Sequence, residues 1–243
     1  MSDAEAFTLP GGGTIEMVRI EAGTFTMGSA ESEEGRWSDE GPPHEVTISR
    51  GFYLGKTVVT QAQWVQVMGT YPWEKQDLVL ENPDHPAVYV SWEDAQEFKG
   101  RLNEAEGTYR LPTEAEWEFA CRVGTTTRWS FGDDESQVGE YAWYRGNVWD
   151  AGAHYARPVG TKKPNPRGLY DMHGNVWEWV QDWHGTYPDA AQIDPVGPEK
   201  GTIRVLRGSG YSSLARAVRS AFRYGYTETR RFHCIGFRVL REG

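Results

Sequence analysis

The chain has 243 residues, a hydrophobic content of 38% and a formal net charge of −10. This length suits one large domain or two small ones. The negative charge argues against unassisted binding to nucleic acid, and no apolar run is long enough to insert into a membrane. The first ten residues lack the basic and apolar regions of a signal peptide, so a cytoplasmic location is expected by default, with phage-borne display as the alternative.

Short strands are predicted in the first quarter of the chain. Residues 14–28 alternate in places between apolar and polar side chains, which indicates two strands joined by a turn. Residues 44–59 return to a strand pattern. Residues 29–43 between them carry five acidic side chains and are predicted to form a solvated loop. A cation site there is disfavoured, because the carboxylates lack the spacing of loop ligands.

Three helices are predicted from residues that can cap their first turns. They are a helix after Thr60 that ends near Met68, one after Ser91 that spans residues 92–103, and one after Thr113 that ends before Gly124. Residues 125–166 form a long aromatic-rich loop, which we expect to pack onto the domain. We find no linker and no internal repeat, so residues 1–243 are interpreted as one domain.

The cysteine and histidine content offers little metal or redox chemistry. Cys121 and Cys234 are the two cysteines, and they provide neither a disulfide framework nor a zinc spacing. The six histidines also lack metal-ligand spacing. The ordinary interpretation of Cys121, on a predicted helix, is a small buried apolar residue.

Residues 204–243 alternate between two kinds of position. One kind comprises short motifs that contain Arg207, Arg219 and Arg238, whose guanidinium groups can tie loops to carbonyls or carboxylates. The residues between these motifs have the composition of a recognition surface: Tyr211, Ser212, Ser213, Leu214, Ala217, Phe222, Tyr224, Tyr226, Arg230, Phe232, His233 and Cys234. We predict that these twelve form one solvent-facing binding surface. The alternative is an aromatic-lined core with polar loops.

Several motifs in register carry a family resemblance. They are GTFTMG at 23–28, VYVSW at 88–92, YRLPTEAEW at 109–117, GLYDMHGNVWEW at 168–179 and GFR at 236–238. In this order, over about residues 14–240, the chain closely resembles the formylglycine-generating enzyme (sulfatase-modifying factor) family. The resemblance implies an α+β fold, namely a loop-rich, single-domain variant of the C-type lectin fold.

The resemblance also implies which chemistry to look for. The oxidases of the family bind copper through a cysteine pair just after an Arg-Gly-Gly-Ser-like turn, and thiolates suit Cu(I). Here the turn is residues 207–210, and no cysteine follows through Val218. We therefore expect no copper and no oxidase activity. The sulfoxide synthase branch needs a separate iron-binding helical domain, for which we find no residues.

The C-terminal alternation resembles the variable region of diversity-generating-retroelement variable proteins, which use this same fold. In that family, diversified codons arise from adenine mutagenesis of AAC-like triplets. All twelve residues named above are reachable by changing the two adenines of AAC. The expected function is therefore a non-enzymatic, ligand-binding variable protein with a variable region at about 204–238 and a protein or other macromolecular ligand. The alternatives are an oxidoreductase with unrecognised chemistry and a non-catalytic regulatory or structural member.

The resemblance further implies a calcium site. In the family, the segment that matches residues 171–178 resembles a calcium loop, which would use the side chains of Asp171 and Glu178 and the carbonyls of Gly174 and Val176. Hard oxygen ligands suit Ca²⁺. The alternative is that Asn175 and Glu178 only tie backbone amides and arginine side chains together.

Overall fold

Long loops connect short strands and helices in a computed structural model, which describes residues 4–105 and 107–243. Twelve strands are present in these residues: β1 Ala4–Thr8, β2 Thr14–Ile20, β3 Gly23–Met27, β4 His44–Ile48, β5 Phe52–Gly55, β6 Tyr109–Arg110, β7 Trp177–Trp183, β8 Gln192–Ile193, β9 Arg204–Arg207, β10 Arg223–Tyr226, β11 Ile235–Phe237 and β12 Leu240–Glu242. The helices of the same residues are α1 Gln61–Met68, α2 Trp92–Asn103, α3 Glu114–Arg122 and α4 Val138–Tyr141.

The strands form three sheets. The largest has the order β1-β2-β5-β12-β6, so the end of the chain lies between strands from its first half. A second sheet, β10-β9-β7-β11, is built largely from the C-terminal region, with β11 parallel to β7. The third, β3-β4-β8, pairs β8 parallel to β4. This mixed, sheet-rich architecture with few helices confirms the predicted α+β class.

The three predicted helices are confirmed as α1, α2 and α3. The capping residues Thr60, Ser91 and Thr113 each accept a hydrogen bond from the backbone amide of the third helical residue. These caps satisfy amides that the helix itself leaves unpaired. The fourth helix, α4, was not predicted, because a single turn has no periodic pattern that a sequence can reveal.

Two buried clusters form most of the core of the described residues. One contains Trp64, Phe98 and Phe237, with Trp64 stacked on Phe98 at 5.6 Å between ring centroids. The other contains Trp117 and further buried side chains of α3. No helix in the described residues is long and apolar enough to cross a membrane.

Candidate binding surface

Buried arginines paired with carboxylates underlie the C-terminal region. Arg207 donates hydrogen bonds to Glu118 at 2.6 Å and to Glu114 at 3.0 Å. Arg238 donates to both oxygens of Glu178, at 2.6 and 2.7 Å. Both arginine side chains are wholly buried. The predicted guanidinium forks are therefore confirmed at these positions, and each fork joins segments that are far apart in sequence.

Arg219 extends this framework to the acidic loop, residues 29–43. It donates to both carboxylate oxygens of Glu40, at 2.6 and 2.8 Å, and it pairs with Glu33. A further hydrogen bond of 2.9 Å reaches the carbonyl of Gly35. Glu40 is fully buried. Much of the loop is exposed, as predicted. The prediction was wrong for Glu40, because a buried guanidinium charge requires a carboxylate partner.

Charges alternate along a chain of four buried ion pairs. Arg122 pairs with Glu118, Glu118 with Arg207, Arg207 with Glu114, and Glu114 with Arg223. Burial alone would raise the pKa of Glu114, but the neighbouring Arg223 and Arg207 hold that pKa below its usual value. Each charge in this chain thus has a partner of opposite sign, which gives the loops above it a rigid base.

An array of aromatic rings lies over this framework. Trp37, in the acidic loop, contacts Phe222 with 5.1 Å between ring centroids. Trp177 lies 5.8 Å from Phe222 and 5.6 Å from Tyr224, and Tyr224 contacts Tyr226 at 5.3 Å. Trp37 is 48% exposed, which is unusual for so large an apolar side chain. The array therefore presents rings from three separate segments of the chain.

The array continues through a cationic position. The Arg230 guanidinium lies 5.3 Å from the ring centroid of Tyr226 and 4.7 Å from that of Phe232. Phe232 in turn contacts His233 at 4.1 Å. Arg230 is exposed, whereas both rings beside it are half-buried. We call the exposed and half-buried members of the array the aromatic surface: Trp37, Trp177, Tyr224, Tyr226, Arg230 and Phe232.

The twelve predicted surface residues divide by burial. Leu214 and Arg230 are exposed, whereas Ser212, Ser213, Ala217, Tyr224, Tyr226 and Phe232 are half-buried. The other four, Tyr211, Phe222, His233 and Cys234, are buried. The prediction of one solvent-facing surface was wrong for these four, because their side chains fill the space beneath the half-buried rings.

The buried members are held by specific contacts. The Tyr211 hydroxyl donates to the carbonyl of His154 at 2.9 Å and lies 2.7 Å from His233 Nδ1. Since Tyr211 has one proton to donate, His233 Nδ1 must carry the proton of their shared hydrogen bond. Residues 212–217 make other contacts: the Ser213 carbonyl accepts from the amide of Arg145 at 2.9 Å. The structure therefore joins only some of the predicted residues to the aromatic surface.

Both cysteines are buried and unpaired in the described residues. Burial raises the pKa of each thiol to about 12. Cys234 Sγ would lie 3.3 Å from a Cβ atom at Gly210, a close approach that favours glycine there. The predicted burial of Cys121 is confirmed. A raised pKa disfavours both thiols as nucleophiles at neutral pH, because attack requires the thiolate.

The carboxylates of the predicted calcium loop differ in their contacts. Both oxygens of Glu178 accept from Arg238, and Trp117 Nε1 donates to one of them at 2.8 Å. A calcium ion cannot use this carboxylate while the guanidinium occupies it, so Glu178 does not fit as a ligand. Asn175 pairs with both backbone groups of Arg157, at 2.9 and 3.0 Å. These contacts match the alternative interpretation of the segment.

Asp171 is the other expected side-chain ligand. It is buried, and its Oδ2 atom accepts from the amide of Gly160 at 2.9 Å, whereas its Oδ1 atom has no partner in the described residues. Burial raises the pKa of Asp171 to about 6. The expected carbonyl ligand of Gly174 accepts the amide of Val176 at 2.9 Å. In the part of the chain described, no group of three or more His, Cys, Asp or Glu side chains could hold a metal ion.

Calcium binding therefore has a direct test. Because Arg238 already neutralises Glu178, we expect EDTA to leave the melting temperature unchanged and elemental analysis to find no stoichiometric calcium. Re-addition of Ca²⁺ after EDTA, with Mg²⁺ as the control ion, completes the measurement. A melting temperature that falls by several degrees in EDTA and recovers with Ca²⁺ alone would restore the calcium site.

Three tryptophans in the aromatic array or in contact with its neighbours were not among the predicted site residues: Trp37, Trp149 and Trp177. Trp149 stacks on Tyr211 with 6.5 Å between ring centroids. A tryptophan in an acidic loop is a usable signal for Trp37, since such a loop offers no core of its own. For the other two, no local pattern distinguishes a surface ring from a core ring.

A loop-rich α+β domain, with buried arginine–carboxylate pairs beneath a C-terminal aromatic surface, defines the class of fold. The chain belongs to the sulfatase-modifying factor enzyme 1-like domain family, whose model matches residues 4–243. The formylglycine-generating enzyme of Streptomyces coelicolor is 30% identical to it, over 94% of this chain and 90% of that one. That of Thermomonospora curvata is 32% identical, over 80% and 82%.

Solved structures show the same fold over the whole chain. Treponema denticola variable protein 1 superimposes with a TM-score of 0.87 and 28% identity, covering 100% of both chains. PvdO from Pseudomonas aeruginosa superimposes with a TM-score of 0.86 and 31% identity, covering 98% of both chains. The chain is thus similar in sequence to enzymes and similar in fold to a variable protein.

Proposed function

We propose that this protein is a ligand-binding variable protein of a diversity-generating retroelement, and that the aromatic surface is its binding site. The observation that carries the proposal is the separation of rigid base from exposed rings. The side chains of Arg207, Arg219 and Arg238 are wholly buried, whereas the rings of Tyr224, Tyr226 and Phe232 stay partly accessible. The likeness to Treponema denticola variable protein 1 supports this use of the fold.

The chemistry of the aromatic surface suits a protein or another macromolecular ligand. Tyrosine, tryptophan and arginine dominate the energy of protein interfaces, and truncation of an anchor residue often costs about 2 kcal/mol or more. Arg230, between two rings, adds a cation that a carboxylate of the ligand can meet. Rings already held in place lose little side-chain entropy on binding.

An oxidase is the alternative that the sequence relatives favour. Such an enzyme would need a copper-binding cysteine pair after the turn at residues 207–210, and no cysteine follows that turn through Val218. We therefore expect a peptide with a sulfatase-type cysteine motif to stay unmodified when copper and oxygen are supplied. Mass spectrometry of the peptide measures this. The Streptomyces coelicolor enzyme, assayed in parallel, is the positive control, and formylglycine formed by our protein would establish the oxidase.

The neighbouring DNA tests the diversification directly. We expect a near-identical copy of the 204–238 coding segment close by, which differs from it mainly at adenines, beside a reverse-transcriptase gene. The absence of both would leave two interpretations, an oxidoreductase with unrecognised chemistry and a non-catalytic regulatory or structural member.

A display library tests the binding surface itself. Randomising Tyr224, Tyr226, Arg230 and Phe232 with codons that end in C should yield folded variants and binders to an unrelated protein such as lysozyme. The matched library randomises the buried Tyr211, Phe222, His233 and Cys234, and it should lose most folded members. Equal loss of folding in the two libraries would assign the aromatic surface to the core.

A further inference from the structure

A cavity lies apart from the aromatic surface. Its volume is about 350 Å³, which is within the range of small-molecule sites. It is bounded by strands β3 and β4, by the first turn of α3 and by residues 182–198. Arg223 reaches this cavity, whereas its neighbour Tyr224 lies in the aromatic surface. Successive strand residues point to opposite faces, so the two regions are separate.

The walls of this cavity are largely apolar. They are formed by Met27, Tyr187, Pro188, Pro195, Val196 and Pro198. Val196 is 66% exposed at the rim. An aromatic or aliphatic group would displace water from these walls, which is favourable because apolar surface leaves water.

The polar groups that line the cavity offer hydrogen-bond acceptors to a ligand, but few of their donors are free. The Arg223 guanidinium donates to both oxygens of Glu114, at 2.8 and 2.6 Å, and to the carbonyls of Asp39 and Gly185. The Tyr187 hydroxyl donates to Glu114 at 3.0 Å. These donors are therefore already used, and a ligand that supplies hydrogen atoms is favoured over one that accepts them.

Asp182 is the acceptor that remains open. It is 4% exposed and lines the cavity. Its Oδ2 atom accepts from the amide of Glu114 at 2.8 Å, and no hydrogen bond reaches its Oδ1 atom within residues 4–105 and 107–243. Gly197, with φ +71°, lies so close that a Cβ atom there would be 3.0 Å from Oδ1. The Oδ1 atom is therefore free to accept a hydrogen bond from a ligand in the cavity.

His44 adds a second acceptor. Its Nδ1 atom lies 3.1 Å from the carbonyl of Pro42. Because a carbonyl only accepts, Nδ1 carries the proton, and Nε2 is the acceptor of the neutral ring. His44 also contacts Tyr187, with 5.1 Å between ring centroids.

We propose that this cavity binds a small molecule with a primary ammonium group on an apolar or aromatic stem. The ammonium would donate to Asp182 Oδ1, and the stem would lie against the proline-rich wall. This site is independent of the proposed ligand surface, and it needs no diversification of the C-terminal region.

The proposal predicts proton release on binding. Burial, followed by the nearby Glu114, raises the pKa of Asp182 to about 8. The carboxyl is therefore mostly protonated at neutral pH, and a bound ammonium would favour the charged form. The other charged groups that interact electrostatically with Asp182 are Glu116, Arg204 and Arg223. The remaining titratable groups in the cavity walls include His44, Tyr187 and Asp194.

Titration calorimetry of the wild-type protein with phenethylamine is the first test. Affinity should rise on the order of tenfold between about pH 6.5 and about pH 8.5, because Asp182 ionises in this range while the amine stays charged. Buffers of different ionisation enthalpy should report net proton release near neutral pH. The neutral analogue 2-phenylethanol should bind at least about tenfold more weakly at the higher pH, without this pH dependence, because it offers no positive charge.

Two variants and one further probe sharpen the test. Asp182→Asn keeps an acceptor for the Glu114 amide and should abolish both the pH dependence and the preference for the amine. Asp189→Asn removes an exposed carboxylate from the same segment and should change neither. A capped lysine amide should bind more weakly than phenethylamine, because its two polar amide groups would lie against apolar walls. Equal affinity for both amines would overturn the assignment to a small molecule, and no difference between phenethylamine and 2-phenylethanol would overturn the proposal.

Discussion

Replacement of Arg207 by Met is expected to destabilise the fold by about 3–5 kcal/mol, because it leaves buried carboxylates without their charge partner. Arg207 is fully buried and contacts Glu114 and Glu118. Methionine is apolar and can fill part of the space, so the loss reflects mainly the unpaired charge. In a chain of this size the melting temperature should fall by roughly 6–20 °C. Urea denaturation, followed by far-ultraviolet circular dichroism, measures the free energy of unfolding.

Arg230→Met is the matched control for this substitution. Arg230 is exposed, and in the part of the chain that the structure describes it contacts two rings and pairs with no carboxylate. Its loss should therefore change stability by less than about 0.5 kcal/mol. A change below about 1 kcal/mol for Arg207→Met would show that the buried pairs do not support the fold, and the base of the proposed binding surface would lose its justification.

Tyr211→Ala is expected to cost about 3–5 kcal/mol of stability, as expected for truncation of a buried aromatic side chain. The Tyr211 ring is 0% exposed, and its hydroxyl joins the carbonyl of His154 to His233. Tyr211→Phe keeps the ring and removes only these hydrogen bonds, so about 1–3 kcal/mol is expected. Differential scanning calorimetry of the three proteins separates the contribution of the ring from that of the hydroxyl.

Leu214→Ala provides the comparison within the same predicted set. Leu214 is 45% exposed, so its truncation should cost less than about 0.5 kcal/mol. If Tyr211→Ala proved as mild as Leu214→Ala, the division of the twelve residues into surface and core would be wrong.

Features with a local cause could be predicted from the sequence. The starts of α1, α2 and α3 follow from Thr60, Ser91 and Thr113, because a side-chain cap satisfies backbone amides within three residues. The role of Arg207 and Arg238 was also predictable in kind, since the guanidinium fork matches the geometry of a carboxylate and can tie loops together. The family motifs indicated the fold class because each covers a single turn, cap or strand, which depends on residues close together in the sequence.

Features that depend on distant partners could not be predicted. Nothing around Glu40 shows that Arg219, 179 residues further along the chain, would bury it. The carboxylate of Glu178 could be predicted to bind either calcium or an arginine, and only the position of Arg238 decides between them.

The sequence by itself determined the fold class, the helix starts and the concentration of aromatic and arginine residues near the C-terminus. Only the tertiary structure decided that Tyr211, Phe222, His233 and Cys234 lie below the surface and that Trp37 lies upon it. The physical reason is that ring composition is the same for a core and for a binding surface. Whether a ring meets solvent depends on which segments cover it, and those segments come from the acidic loop and β7, far away in the chain.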